Sequence, residues 1–308
     1  MKTPFSPITH SLLLGALVAG LAGPLFPVRA ARASPIRYIL PHVRPAPHIS
    51  IRNLAGSVTV RGWRQDALRI TGTLGSRREH LSVQNHDGRI RIRVAYPEYA
   101  MNLAGSHLVV DIPAASRLAV KTVSADIDAS RLTGTVRLRT VSGNVLLHSE
   151  AHRIAVKTVS GAIGLYGSAP LARTRIQSVS GGAAIREIQG RIRAMSVSGA
   201  IHLTGHLRVI RAALHTTSGD IRYTGPVFSS GRYVLTSVSG DIYFRTVAHP
   251  DARFRISTLS GSIVNTLGPR PRRADQYGPG WILDFVSGVP HAFVKIRSLS
   301  GGISLQKP

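Results

Sequence analysis

Two pairs of aspartates have spacings that acid–base chemistry could use. Asp126 and Asp128 lie two residues apart, and Asp220 and Asp241 each follow a Ser-Gly dipeptide, 21 residues apart. Residues two apart share one face of a strand, and stacked strands repeat every ~4.8 Å, so either pair could come close. Glycoside hydrolysis needs two carboxylates at a defined separation. The same aspartates fit solvated outward positions or turns equally well. His148/His152 and His202/His206 share a four-residue spacing but lack the glutamate of the helical metalloprotease pattern, so solvated histidines are expected. The serines lack a Gly-x-Ser-x-Gly context. No Walker loop, dinucleotide fingerprint or calcium repeat occurs. With no cysteine, thiol catalysis, thiolate metal sites and disulfides are excluded. Trp63 and Trp281 could stack on sugars, although lone tryptophans at the ends of a fold more often pack there. No catalytic residue, metal ligand or cofactor is therefore expected. A carbohydrate-active enzyme using the paired aspartates is the alternative.

The larger chemical signal is cationic. The 308 residues hold 39 Lys and Arg against 14 Asp and Glu, a formal charge of +25, and only five of the basic residues are lysines. Guanidinium forks grip phosphate or carboxylate through two-point contacts. A basic excess draws anionic partners but says nothing about fold. What would position these arginines is a short motif that recurs along most of the chain. Thr140-Val141-Ser142-Gly143, Thr158-Val159-Ser160-Gly161, Ser178-Val179-Ser180-Gly181 and Ser196-Val197-Ser198-Gly199 are four copies. Four more are centred on Ser218, Ser239, Ser260 and Ser300, and Thr122-Val123-Ser124-Ala125 is a variant. From Ser124 to Ser260 the motif serines are 18, 18, 20, 18, 20, 21 and 21 residues apart; the last step, to Ser300, is 40. That step contains a Pro/Gly/Arg-rich stretch, 268–280, expected to loop out.

Around each motif the hydrophobicity alternates. With the serine as zero, Ile154, Val156, Ile163 and Leu165 take minus six, minus four, plus three and plus five around Ser160. Val136, Leu138, Val145 and Leu147 repeat this around Ser142. Period-two alternation on both sides of a Ser-Gly break predicts two short strands joined at a corner, with glycine giving the corner its freedom or room. Small hydroxyl residues there can stack rung upon rung and bond each other or the backbone. The near-constant interval predicts an all-β solenoid with rungs of about 18–21 residues. The grammar extends without serine to corners expected at Gly56 and, between Leu81/Val83 and Ile90/Ile92, at Gly88.

Positions minus five and minus three must face outward. They hold Arg52, Lys121, Arg137, Arg139, Lys157, Arg175, Arg193, Arg255, Lys295 and Arg297. A continuous cationic stripe is expected, with Arg137, Arg139, Lys157, Arg175 and Arg193 as candidate anion-binding residues. A solvated charged face fed by an arginine-rich genome is the other reading. Outward plus-two and plus-four positions are mostly small, including Ala162, Gly164, Gly182, Ala184 and Ala200.

The segment Gly56-Ser57-Val58-Thr59-Val60-Arg61-Gly62-Trp63, the serial Thr-Val-Ser-Gly turns, and Tyr277-Gly278-Pro279-Gly280 before the last rung resemble an exported bacterial β-strand-repeat family. It is known as the putative-adhesin family, a domain of unknown function. The resemblance covers roughly residues 47–307. It implies a β-solenoid in the cell envelope, with surface binding or envelope-stress roles, and carries no catalytic residues. Many members have Asp after the Ser-Gly; here only Asp126, Asp220 and Asp241 stand at that place. The departure argues against a calcium-binding ladder.

The N-terminus predicts export. A weakly basic start at Met1-Lys2, an apolar run from Leu12 to Gly23 and Ala31-Arg32-Ala33 match a signal peptide cleaved after Ala33, with Ala30 the alternative. The apolar run is too short to cross a bilayer, which takes ~20 residues. The expected organisation is a signal peptide at 1–33 and a linker at 34–46. An irregular β region at 47–113 then precedes a regular solenoid at 114–308 with its insertion at 268–280. The expected product is a non-catalytic scaffold or adhesin-like protein of the periplasm or cell surface. Its basic face would meet an anionic polysaccharide or lipopolysaccharide. Specific nucleic-acid binding is not expected, because aromatics are scarce among the basic residues.

Overall fold

A computed structural model of the chain describes residues 34–96, 104–206, 208–247, 249–276 and 278–307. The export signal expected at 1–33 lies outside the described residues. Among them there is no helix, and strands carry the fold. The N-terminal end is built from β1 (Ser34–Pro41), β2 (His48–Asn53), β3 (Gly56–Trp63), β4 (Ala67–Leu74), β5 (His80–His86), β6 (Arg89–Ala95) and β7 (Ser106–Pro113). Regular coils follow as strand pairs: β8 (Arg117–Thr122) with β9 (Asp126–Leu132), β10 (Thr135–Arg139) with β11 (Val145–Ser149), and β12 (Arg153–Lys157) with β13 (Ile163–Tyr166). Next come β14 (Arg173–Gln177) with β15 (Ala183–Arg186), β16 (Gly190–Met195) with β17 (Ile201–Thr204), and β18 (Val209–His215) with β19 (Ile221–Thr224). The C-terminal end holds β20 (Arg232–Ser237), β21 (Ile242–Arg245), β22 (Ala252–Thr258), β23 (Ile263–Asn265), β24 (Arg272–Arg273), β25 (Trp281–Ser287), β26 (Ala292–Ser298) and β27 (Ile303–Gln306).

Two sheets face each other across the core. Sheet A runs β1-β4-β7-β3-β9-β11-β13-β15-β17-β19-β21-β27-β23. Sheet B runs β24-β25-β22-β26-β20-β18-β16-β14-β12-β10-β8-β2-β6-β5. Each regular coil gives one strand to each sheet, and successive coils pair in parallel so that motif positions stack: Arg137 on Ala155, Val145 on Ile163. The all-β solenoid read from the motif interval is thus the fold. The inward positions are buried, among them Val136, Leu138, Ile154, Val156, Ile163 and Leu165. Burying such a side chain is worth roughly 1.5–3 kcal/mol. Toward the C-terminal end the inward positions become aromatic: Tyr223 stacks on Phe244 at 4.8 Å and Phe254 on Phe285 at 4.7 Å.

The Thr-Val-Ser-Gly corner is held by its own hydroxyl. The Gly143 N–H donates to Thr140 Oγ1 (3.1 Å), and Thr140 Oγ1 donates to the Val123 carbonyl of the preceding rung (3.2 Å). Thr158 makes the same two bonds, with Gly161 (3.0 Å) and Val141 (3.3 Å). Glycine is required for room rather than for backbone freedom. A Cβ on Gly161 would stand 1.8 Å from the Gly143 carbonyl oxygen, while φ at Gly161 is ordinary.

The ends depart from the expectations in four ways. Gly88 is not a corner between sheets: Asp87 (φ 48°) and Gly88 (φ 75°) make a two-residue turn joining β5 and β6 antiparallel within sheet B. An Asp-Gly pair with positive φ at both residues matches the twist of a hairpin. Residues 34–46 are not all linker, because β1 pairs antiparallel with β4 over its whole length. The 268–280 insertion does not simply loop out: Arg272 and Arg273 pair with Ile282 and Trp281 in a hairpin beside β22. Nor do the end rungs stack in chain order. The β2–β3 rung sits inside β6 and β7, and the last rung, β26–β27, sits inside β22 and β23. Antiparallel strands thus finish three of the four sheet edges, while sheet A ends at β23, a short strand paired in parallel with β27.

Candidate anion-binding face

The outer side of sheet B is a set of columns running along the solenoid, one residue per rung. The minus-five column reads Ala119, Arg137, Ala155, Arg175, Arg193, Ala213 from β8 to β18. The minus-three column reads Lys121, Arg139, Lys157, Gln177, Met195, His215 over the same strands. The five residues expected to bind anions therefore share one exposed face on four adjacent rungs, but in two columns. Arg139 and Lys157 are neighbours in one; Arg175 and Arg193 are neighbours in the other, with Ala155 separating them from Arg137.

Sequence reading missed the densest column. At minus seven, Arg153, Arg173, Arg191, Arg211 and Arg232 are paired rung to rung without a break. Their intervals of 20, 18, 20 and 21 residues follow the rung period and were there to be counted. The corner beyond the buried minus-six position varies in length, so in sequence its residues look like loop. Between the minus-seven and minus-five columns lies a shallow groove of about 440 Å³, with arginines along both sides, Ala155 and Ala213 as gaps in the minus-five side, and minus-six residues such as Ile154 and Ile192 between the columns.

Seven arginines line that groove: Arg137, Arg153, Arg173, Arg175, Arg191, Arg193 and Arg211. Among the described residues none of them has a carboxylate within ion-pair distance. The sheet B strands from β8 to β20 contain no Asp or Glu at all. Guanidiniums on neighbouring rungs repel by about 1 kcal/mol per pair at a water-like dielectric, less in salt. Where β25 pairs with β22 within sheet B, by contrast, Asp284 reaches both Arg253 (3.3 Å) and Arg255 (3.4 Å), the minus-seven and minus-five residues of β22.

The aspartates considered for acid–base chemistry lie in or just before sheet A strands, and Asp126, Asp220 and Asp241 are engaged with backbone. Asp126 Oδ1 accepts the Asn144 N–H of the next rung (2.7 Å), and Asn144 Oδ1 accepts that of Ala162 (3.0 Å). Asp220 accepts from the Asp241 N–H (3.1 Å), and Asp241 from the Gly302 N–H (2.7 Å). Residues at plus two thus tie one rung to the next just past the corner. The histidine pairs do not converge either: His148 stacks on Tyr166 at 4.6 Å, and His202 Nε2 lies 3.1 Å from Arg222 Nη1. Burial lowers the His202 pKa below its ordinary value, and the Arg222 charge lowers it further. Trp63 and Trp281 both sit toward the ends, beneath Arg69 and Arg273 respectively.

Against this geometry, the family model described as Toastrack DUF4097 matches residues 47–267. The chain belongs to the Toastrack family. That span takes in both the regular coils and the whole groove. No curated protein matches the chain. Solved structures similar to it include a putative lipid binding protein from Parabacteroides distasonis, at 12% identity and TM-score 0.48, covering 88% of this chain and 96% of that one. A putative adhesin from Parabacteroides merdae is 10% identical with TM-score 0.43, covering 89% and 96%. A putative cell adhesion protein from Clostridium sporogenes is 6% identical with TM-score 0.28, covering 90% and 100%. Toastrack membership therefore rests on the family match over 47–267, which agrees with the resemblance carried by the Thr-Val-Ser-Gly turns.

Proposed function

We propose that this Toastrack chain is an exported, non-catalytic protein of the cell envelope, periplasmic or surface-located, that binds anionic polymers on the outer face of sheet B. The observation that carries the reading is the groove whose seven arginines have no carboxylate partner among the described residues. An arginine row without counter-charge is completed by an anionic ligand that follows the row. The N-terminal signal pattern supports export, and an envelope polysaccharide or lipopolysaccharide offers phosphates or carboxylates in series.

Binding of the mature chain to envelope polymers should weaken as salt rises, because exposed ionic contacts are screened over ~8–10 Å near physiological ionic strength. Reversing Arg137, in the groove, and Arg139, beside it on the same face, to Glu should reduce binding more than reversing Arg270 and Arg272, which are exposed near the C-terminal end. Equal losses from the two double variants would mean that net charge alone attracts the polymer, and the reading would fall.

A further inference from the structure

Within the groove the arginines are not evenly spread. The β10 rung presents only Arg137, and β12 only Arg153 beside Ala155. The next two rungs present two each: Arg173 with Arg175 on β14, and Arg191 with Arg193 on β16. On β18 a single arginine returns, Arg211 beside Ala213. Rungs are ~4.8 Å apart and residues two apart on a strand are separated by about 6.7 Å, so the four central arginines stand at the corners of a small rectangle. In the minus-five column alanine gaps open on either side of it along the solenoid axis, about 14 Å apart over three rung steps.

We infer that Arg173, Arg175, Arg191 and Arg193 form a subsite for a phosphate group borne on a glycan. The flanking sugar units lie along the axis over Ala155 and Ala213. The inference rests on the anionic-polymer reading of the same face and adds to it the ligand class and the place where that class is recognised. A carboxylate has two oxygens and one charge, and a single guanidinium fork satisfies it. A phosphomonoester has three terminal oxygens and ≈ −1.5 to −2 charge near pH 7, which suits several converging forks. Another doubled rung on this face shows what a lone carboxylate does with such a pair. On β22, Asp284 alone bridges Arg253 and Arg255. A third, β6, with Arg89 and Arg91 in the same registers, has no carboxylate beside it among the described residues. Two such pairs on adjacent rungs ask for a ligand of higher charge. These gaps support the axial direction, since alanine at 155 and 213 leaves space in the minus-five column where arginine would block the path between rungs.

The test compares three probes on the intact mature chain by calorimetry at fixed salt. They are a phosphorylated oligomannoside, an oligogalacturonate of equal length, and phosphatidylglycerol vesicles. The phosphorylated sugar should bind at least about tenfold tighter than the oligogalacturonate, one extra charged hydrogen-bonding interaction. Arg175→Gln with Arg193→Gln should erase that preference. Arg139→Gln with Lys157→Gln, on the same face outside the rectangle, should keep it. Ala155→Asp should weaken binding although every arginine is retained, and unchanged melting curves verify that the variants fold. Equal affinity for the two oligosaccharides, with equal losses from both double variants, would overturn the phosphate subsite while leaving the broader basic-face reading intact. Binding to vesicles but not to the soluble phosphorylated sugar would overturn the glycan and make a lipid headgroup the source of the phosphate. Absence of salt-sensitive binding to all three probes would remove the broader reading along with the subsite.

Discussion

The same outer face of sheet B solves one electrostatic problem in two ways. On β22, Arg253 and Arg255 stand two residues apart, and the antiparallel strand β25 brings Asp284 to both. On β14 and β16 the same spacing recurs twice, and among the described residues nothing negative approaches. The backbone is alike in both regions, since the strand ladder uses every N–H and C=O within the sheet and leaves mid-strand side chains to find partners elsewhere. The difference is that β25 places Asp284 directly across from Arg255, whereas the strands beside β14 and β16 carry no acid. An antiparallel neighbour alone is not enough: β5 pairs with β6 without an Asp or Glu, and among the described residues Arg89, Arg91 and Arg93 there keep their charge. Sheet A extends the lesson: its short carboxylates at plus two find a backbone N–H on the next rung, because they sit just past a corner where the ladder has not yet begun.

The harshest way to break the comparison is to remove the regular middle. Gly161 lies at the corner between β12 and β13, and the Cβ of any other residue would meet the Gly143 carbonyl oxygen at 1.8 Å. Gly161→Val should cost ~3 kcal/mol or more, at or above the top of the ordinary overpacking range. Denaturant unfolding followed by circular dichroism measures it. A variant as stable as the parent would show that the corner has room the geometry denies it.

A smaller effect sharpens the contrast at its other pole. Asp284→Asn leaves Arg253 and Arg255 as unpaired as the groove arginines. The pair is about half exposed, with the Asp284 side chain 48% accessible, so stability should fall by no more than ~1 kcal/mol. The loss should shrink as salt rises from 0.05 to 1 M, because screening weakens the repulsion the aspartate offset. A loss that does not change with salt would mean that Asp284 supports the end through packing or hydrogen bonding rather than through charge.

Much of this was legible in the residues. The serine interval gave the rung, the alternation around it gave the buried and exposed positions, and both hold from β8 to β21. Arg137, Arg139, Lys157, Arg175 and Arg193 fall on one face because period-two geometry leaves them no other choice. The minus-seven arginines escaped because they border the variable corner, where strand and loop look alike in sequence. The order of the end rungs was not legible at all. A parallel ladder accepts any rung with matching alternation, so chain order does not dictate stacking order. The Gly88 turn was misplaced because an alternating strand on either side of a glycine describes a hairpin as well as a corner; Asp87 was the residue that distinguished them.

The smallest effect lies on sheet A, where an arginine does have partners. Arg222 Nη2 meets Asp220 Oδ2 at 3.4 Å, its guanidinium covers Tyr243 at 4.9 Å, and Nη1 faces His202 Nε2 at 3.1 Å. Neutral His202 can accept that hydrogen bond; protonated, it cannot. Burial chiefly, and then the Arg222 charge, hold its pKa below the ordinary 6.5, while Asp220 pulls weakly the other way. The unfolded chain therefore takes up this proton before the folded one does. The contribution of His202 to stability is fully present above pH 6.5 and is lost as pH falls from there through the lower folded value. His202→Gln should leave stability nearly unchanged at pH 5 and lower it slightly at pH 7.5. The measurement is the difference between parent and variant melting temperatures across that range, which cancels the other histidines. A difference independent of pH would mean that Arg222 gains nothing from the imidazole lone pair, leaving Asp220 and Tyr243 as the partners that set it apart from the bare arginines of the groove.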